Sequence, residues 1–136
     1  MENNNNLKSL YLALFVLTLI NAVFSTLFIT FSLGAFLDIA IFIIIIVVLR
    51  PKLPKTVPMP FGLKLLLISC IIHFTAVIIF TVSTILNNII AYEIGRRYSN
   101  RLFIPLNLLG ISLAIASIVL LIISCVKVYK EYDAIN

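Results

Sequence analysis

Apolar residues in this chain gather into three long blocks that charge does not interrupt: Ser9 to Leu37, Leu65 to Tyr92 and Leu102 to Val126. A helix needs only ~20 apolar residues to cross the ~30 Å hydrocarbon core of a bilayer, so each block is long enough to span one. The first runs on, past Asp38 alone, to Leu49. As one straight helix that stretch would be ~60 Å long at ~1.5 Å per residue, twice the core thickness, so the pattern predicts a fold-back. The turn signal is Ser32-Leu33-Gly34, with Asp38 just after it near the interface, at the start of a second helix where the macrodipole favours a carboxylate.

The pattern therefore predicts an all-α membrane protein, residues 1–136 forming one domain. The fold is a four-helix bundle of two hairpins with short loops and both termini on one side. The helices are placed at about 7–31, 35–49, 61–92 and 102–129. Helix 2 is short, so it stands nearly upright or thins the bilayer locally. Arg50 to Pro60 holds four prolines and reads as an extended, polyproline-like connection. Glu93 to Arg101 reads as a polar loop, and Pro105 falls in the first turn of helix 4, where its missing N–H costs least.

Along three of the four helices, small and polar residues recur every three or four positions. Helix 1 carries Tyr11, Leu14, Thr18, Asn21, Ser25, Phe28 and Ser32. Helix 3 carries Ser69, His73, Ala76, Phe80, Ser83 and Asn87, and helix 4 carries Gly110, Ala114, Ser117, Leu121 and Ser124. Inside lipid no hydrophobic drive holds helices together, so such stripes mark packed seams or a polar interior. Asn21, Ser25, His73, Ser83 and Asn87 are the candidates for that interior. Gly110, Ala114 and Ser117 are the candidate packing seam. Helix 2 shows an Ile41-to-Val48 run with no polar stripe, which marks it as the helix most open to lipid or to another subunit.

Composition supports this picture. Hydrophobic residues make up 62% and charged ones 11%, against ~25% charged in a soluble domain. The net charge of +5 does not point to nucleic acid, because the basic residues cluster beside apolar blocks, as positive-inside bias and anionic headgroups require. On a four-span topology Lys8, Arg50, Lys52, Lys55, Lys64, Lys127 and Lys130 share the side of the termini. Arg96, Arg97 and Arg101 lie opposite. Seven against three predicts cytoplasmic termini in a multi-pass integral membrane protein. The N-terminal run exceeds a signal-peptide h-region and lacks an A-x-A site, so it reads as retained.

Candidate chemistry is sparse. His73 is the only histidine, and the readings are a neutral structural group, a proton relay or quinone contact, or a metal or haem ligand. Asp38 and Glu93 read as outer-loop charges able to pair with Arg96, Arg97 or Arg101, with no carboxylate at the depth of His73. Cys70 and Cys125 are isolated thiols inside apolar blocks, with no C-x-x-C pair and no disulfide expected between them. No catalytic, cofactor or metal motif stands out, so the sequence predicts a non-enzyme without cofactors. Its partners would be membrane lipids, other membrane subunits or copies of itself. The favoured function is a non-catalytic subunit, scaffold or assembly partner of a larger membrane complex. The alternative is a small homo-oligomeric transporter or channel with a polar pathway lined by helices 1, 3 and 4.

Overall fold

The structure is a computed structural model, and it describes residues 2–27 and 33–135. Among these residues there is no strand. The order is α1 (Glu2–Leu27), α2 (Leu33–Ile43, continued by a π-helical segment Ile44–Leu49 and a 3₁₀ turn Arg50–Lys52), α3 (Phe61–Ile94) and α4 (Arg96–Asp133). All four are long and apolar enough to cross a membrane, over 25, 19, 34 and 38 residues. At ~1.5 Å per residue α3 and α4 are ~51 and ~57 Å long, well beyond the ~30 Å hydrocarbon core. The large side chains turned outward are aliphatic or aromatic, among them Leu19, Phe36, Val47, Ile71 and Val119, as contact with lipid requires.

Several boundaries differ from those the sequence suggests. Helix 1 begins at Glu2 rather than about Leu7, so the asparagine-rich start is already helical. Its expected end at Phe31, with Phe28 and Ser32, lies outside the described residues. The proline segment is not continuously extended: it opens with the 3₁₀ turn and closes a tight turn through Val57 N–H to Pro54 O at 3.1 Å. It is extended at Leu53 (φ −84°, ψ 145°) and again at Pro60 (φ −52°, ψ 146°), immediately before α3.

The largest change is between α3 and α4. The expected loop Glu93 to Arg101 shrinks to Gly95 alone, at φ 89° and ψ 145°, a conformation that L side chains rarely adopt. Helix α4 therefore starts at Arg96, and Pro105 lies inside it rather than in its first turn. That proline leaves the carbonyl of Arg101 without its helical donor. Two of the polar residues that read as loop formers bond between the helices instead. Ser99 donates to Asn87, and Asn87 Nδ2 donates to Asn100 Oδ1 at 2.9 Å.

Partner positions rise along α3 as they fall along α4. Gly62 N–H donates to Glu131 Oε1 at 2.6 Å, Ser83 Oγ–H donates to Asn107 Oδ1 at 2.7 Å, and Asn87 meets Ser99 and Asn100. The first of these gives an orphan donor in the first turn of α3 a carboxylate acceptor, favourable in both hydrogen bonding and dipole. Midway, the backbone of α4 comes close at Gly110. A Cβ built there would lie 3.6 Å from Ala76 O, Ile79 and Phe80. Ala114 and Ser117 are buried on the same side, and Ser117 Oγ–H turns back to Ala114 O at 2.7 Å.

The described part of α2 is not bare. Gly34, Asp38, Ile41, Ile45 and Leu49 form a buried line at steps of three and four. An α-helix would rotate a run of four-residue steps steadily off one face. Here the π-helical segment, with Arg50 N–H bonded to Ile45 O, takes up the extra residue. Ile41, Ile45 and Leu49 join Leu14, Leu66 and Leu121 in the apolar core.

Candidate functional site

Four polar side chains from three helices meet in the interior. Asn21 and Ser25 face inward from α1, one turn apart, Asp38 from α2 and His73 from α3, each no more than 2% exposed. Asn21 Nδ2 donates to Asp38 Oδ1 at 2.6 Å. His73 Nδ1 is hydrogen-bonded to Asp38 Oδ2, and with the carboxylate ionised the imidazole N–H is the donor. Ser25 Oγ–H donates to Asn21 Oδ1 at 3.2 Å. The carboxylate thus accepts from both neighbouring helices and ties them to α2.

Gly34 is a condition of this arrangement. A Cβ on Gly34 would lie 2.8 Å from His73 Cε1, closer than carbon atoms pack. Glycine therefore lets the imidazole lie against the first turn of α2, one turn from its partner Asp38. Beside the pair, a recess of ≈ 240 Å³ lies between α2 and α3, lined by Asp38, Phe42, Cys70 and Phe74. Its rim residues Ile39 and Ile71 are exposed, so it opens sideways, where lipid would lie.

Asp38 is the correction that matters. The sequence reading set it among the outer-loop charges with Glu93, Arg96, Arg97 and Arg101. The structure instead puts it inside the bundle, and it supplies the carboxylate at the level of His73 that the reading lacked. The physical reason lies in the seam: Gly34, Asp38, Ile41, Ile45 and Leu49 share one face of α2, so Asp38 points to the core. Glu93, Arg96, Arg97 and Arg101 are exposed around Gly95, and among the described residues no ion pair links them to Asp38. Of the other interior candidates, Ser83 and Asn87 lie further along the α3–α4 seam on Asn107 and Asn100, away from the His73 cluster. The polar centre joins α1, α2 and α3, not α1, α3 and α4.

Sequence reasoning missed Asn100, Asn107 and Glu131 as interhelical partners. Polar residues near span ends look the same whether they face solvent or a neighbouring helix. Cys70 and Cys125 are free and buried. Among the described residues no group of three or more His, Cys, Asp and Glu side chains is placed to hold a metal ion.

Fold and site together describe an all-helical protein with four helices able to cross a membrane and a buried His–Asp pair at the junction of three of them. In comparisons with protein-family models, curated proteins and solved structures, none matches the chain.

Proposed function

We propose that this is a multi-pass integral membrane protein, with two antiparallel hairpins and cytoplasmic termini, that acts as a small proton-linked transporter or channel. The His73–Asp38 pair carries the reading. Counted from the basic residues at one end (Lys8, Arg50 and Lys64), Asn21, Asp38 and His73 lie 13, 12 and 9 residues inward. At ~1.5 Å per residue that is ~14–20 Å into a ~30 Å core, close to the midplane. Ionisable groups at such depth are costly and are typical of proton relays and ion pathways. A hydrophobic pair of similar volume is often as stable as a buried ion pair, so stability alone gives little reason to have this one. A carboxylate sharing one proton with a neutral imidazole carries a net charge of −1, and uptake of a second proton makes the pair neutral. That change of charge inside the bundle alters how strongly α2 is held against α1 and α3.

The test is proton flux in proteoliposomes carrying a trapped pH-sensitive dye and an imposed pH gradient. Flux above that of empty vesicles is expected for the wild-type chain. His73→Gln and Asp38→Asn should abolish it at unchanged protein level. Wild-type flux no greater than that of empty vesicles, or full flux in both variants, would remove this reading.

The second reading, a non-catalytic subunit or assembly partner, is favoured by one further observation. By the same count, ~20 residues of each helix fill the bilayer, so the ends of α3 and α4 around Gly95 project beyond it. They carry exposed Ile85, Ile89, Leu102 and Ile104, a surface that suits another protein better than water. Recovery of a larger complex in mild detergent, lost with Ile89→Asp and retained with His73→Gln, would favour this reading.

A further inference from the structure

From a groove along the α1–α4 seam we infer a binding site for an anionic phospholipid, headgroup at the basic end and one acyl chain between the two helices. The groove is a series of recesses that follow one another up α1. The first, ≈ 240 Å³, mixes polar and apolar surface and is lined by Asn5, Lys8, Ser9, Leu12 and Tyr132. The next, ≈ 360 Å³, is lined by Phe15, Leu19, Ala22, Ile122 and Val126. A third of ≈ 280 Å³ shares Leu19, Ala22 and Ile122 and continues to Thr26 and Leu27. Small Ala22 forms the floor where the last two join.

The chemistry changes along this line as a lipid's does. At the polar end Lys8 Nζ sits 5.2 Å above the ring of Tyr132. Lys130 stands one helical turn beyond the groove residue Val126, on the same ridge. Glu131 is turned away, to Gly62 on α3, and Asp133 at the end of the helix leaves the lysines in excess. Below the lysines the rings of Phe15, Tyr129 and Tyr132 follow at centroid spacings of 5.2 and 6.1 Å, the belt chemistry of a headgroup–hydrocarbon boundary. From Leu12 the apolar section runs ~15 Å to Ala22, half the ~30 Å hydrocarbon core and so the depth of one leaflet, and it continues to Leu27. Basic pockets between membrane helices are suited to anionic headgroups. A zwitterionic lipid fills the apolar section equally well but gains less at Lys8 and Lys130.

The site does not involve His73 or Asp38, so its test stands apart from proton flux. The full chain is melted in detergent with added phosphatidylglycerol, phosphatidylcholine or soluble glycerol phosphate, and lipid adducts are counted by native mass spectrometry. Phosphatidylglycerol should raise the melting temperature by several degrees more than phosphatidylcholine, with one tightly retained lipid per chain. Lys8→Gln with Lys130→Gln should abolish that preference. Val126→Trp, at an exposed position lining the groove, should cost the retained lipid without disturbing the core. Equal stabilisation by the two lipids, a preference that survives the double lysine variant, or equal protection by glycerol phosphate would overturn the site. Undiminished retention in Val126→Trp would show headgroup contact without a chain in the groove, and would overturn it as well.

Discussion

Replacing Asp38 by Asn and His73 by Gln, singly and together, measures how strongly the two are coupled. Asp38 accepts from Asn21 at 2.6 Å and from His73, and all three side chains are at most 2% exposed. Asp38→Asn keeps the volume but presents an amide NH₂ in place of one accepting oxygen. A buried polar group left without its partner costs ~1–3 kcal/mol, and removing one member of a buried ion pair costs ~3–5 kcal/mol. Neutral hydrogen bonds between membrane helices are weaker, ~0.6 kcal/mol on average and ~1.7 at most. A charge-assisted bond from imidazole to carboxylate should exceed that ceiling. The expected coupling is therefore ~3 kcal/mol, about 150-fold in the folded-to-unfolded ratio. SDS titration of the protein in mild detergent, followed by circular dichroism, supplies the four stabilities of the cycle. A double-leucine variant sharpens the test. Asp38→Leu with His73→Leu removes both members of the pair but leaves Asn21 without its acceptor, so it should recover part of the lost stability while proton flux stays absent. Coupling below ~0.5 kcal/mol would refute the argument, because it would mean that the two side chains do not meet.

Four further outcomes are expected. Gly34→Ala puts a methyl where His73 Cε1 lies 2.8 Å away, so it should displace the imidazole and destabilise by ~1–3 kcal/mol in the same titration, in the range of other overpacking substitutions. Gly110→Ala meets ordinary contacts at 3.6 Å and should be nearly silent. Gly110→Leu and Ala114→Leu should lower the melting temperature in detergent, whereas Ile123→Leu at an exposed position should not. Single cysteines at the exposed positions Lys55 and Arg97, in a background lacking Cys70 and Cys125, should label from opposite faces of the membrane; labelling from one face would overturn the assignment of sides.

Much of the helical pattern was legible because lipid imposes a simple code. Uninterrupted apolar length marks a span, and a polar or small residue inside it must find a partner. Tyr11, Leu14, Thr18, Asn21 and Ser25 stand out by spacing alone, and all are buried. The polar centre was not legible in the same way. Asp38 is a lone charge four residues past a glycine, and hydropathy assigns such a residue to the interface. Only its spacing with Ile41, Ile45 and Leu49 points it inward, and the eight-residue apolar run from Ile41 to Val48 hides that spacing. The α3–α4 connection was obscured for the opposite reason. Glu93 to Arg101 has loop composition, but Ser99 and Asn100 bond across to Asn87, so one glycine suffices to reverse the chain.

The bond between Asp38 and His73 also has a consequence in time. The two residues are 35 positions apart, and a ribosome adds ~5–20 residues per second. For ~2–7 s after Asp38 is made, its principal partner has not yet been synthesised. A central Asp opposes insertion by ~2.5–3.5 kcal/mol, and in that interval the carboxylate has Asn21 of α1 beside it, together with the strong lipid preference of the apolar run from Ile39 to Leu49. Asn21 is therefore needed before the bundle exists. Its replacement by Leu should show first in the yield of inserted protein during synthesis, and less in the melting of chains that have already assembled.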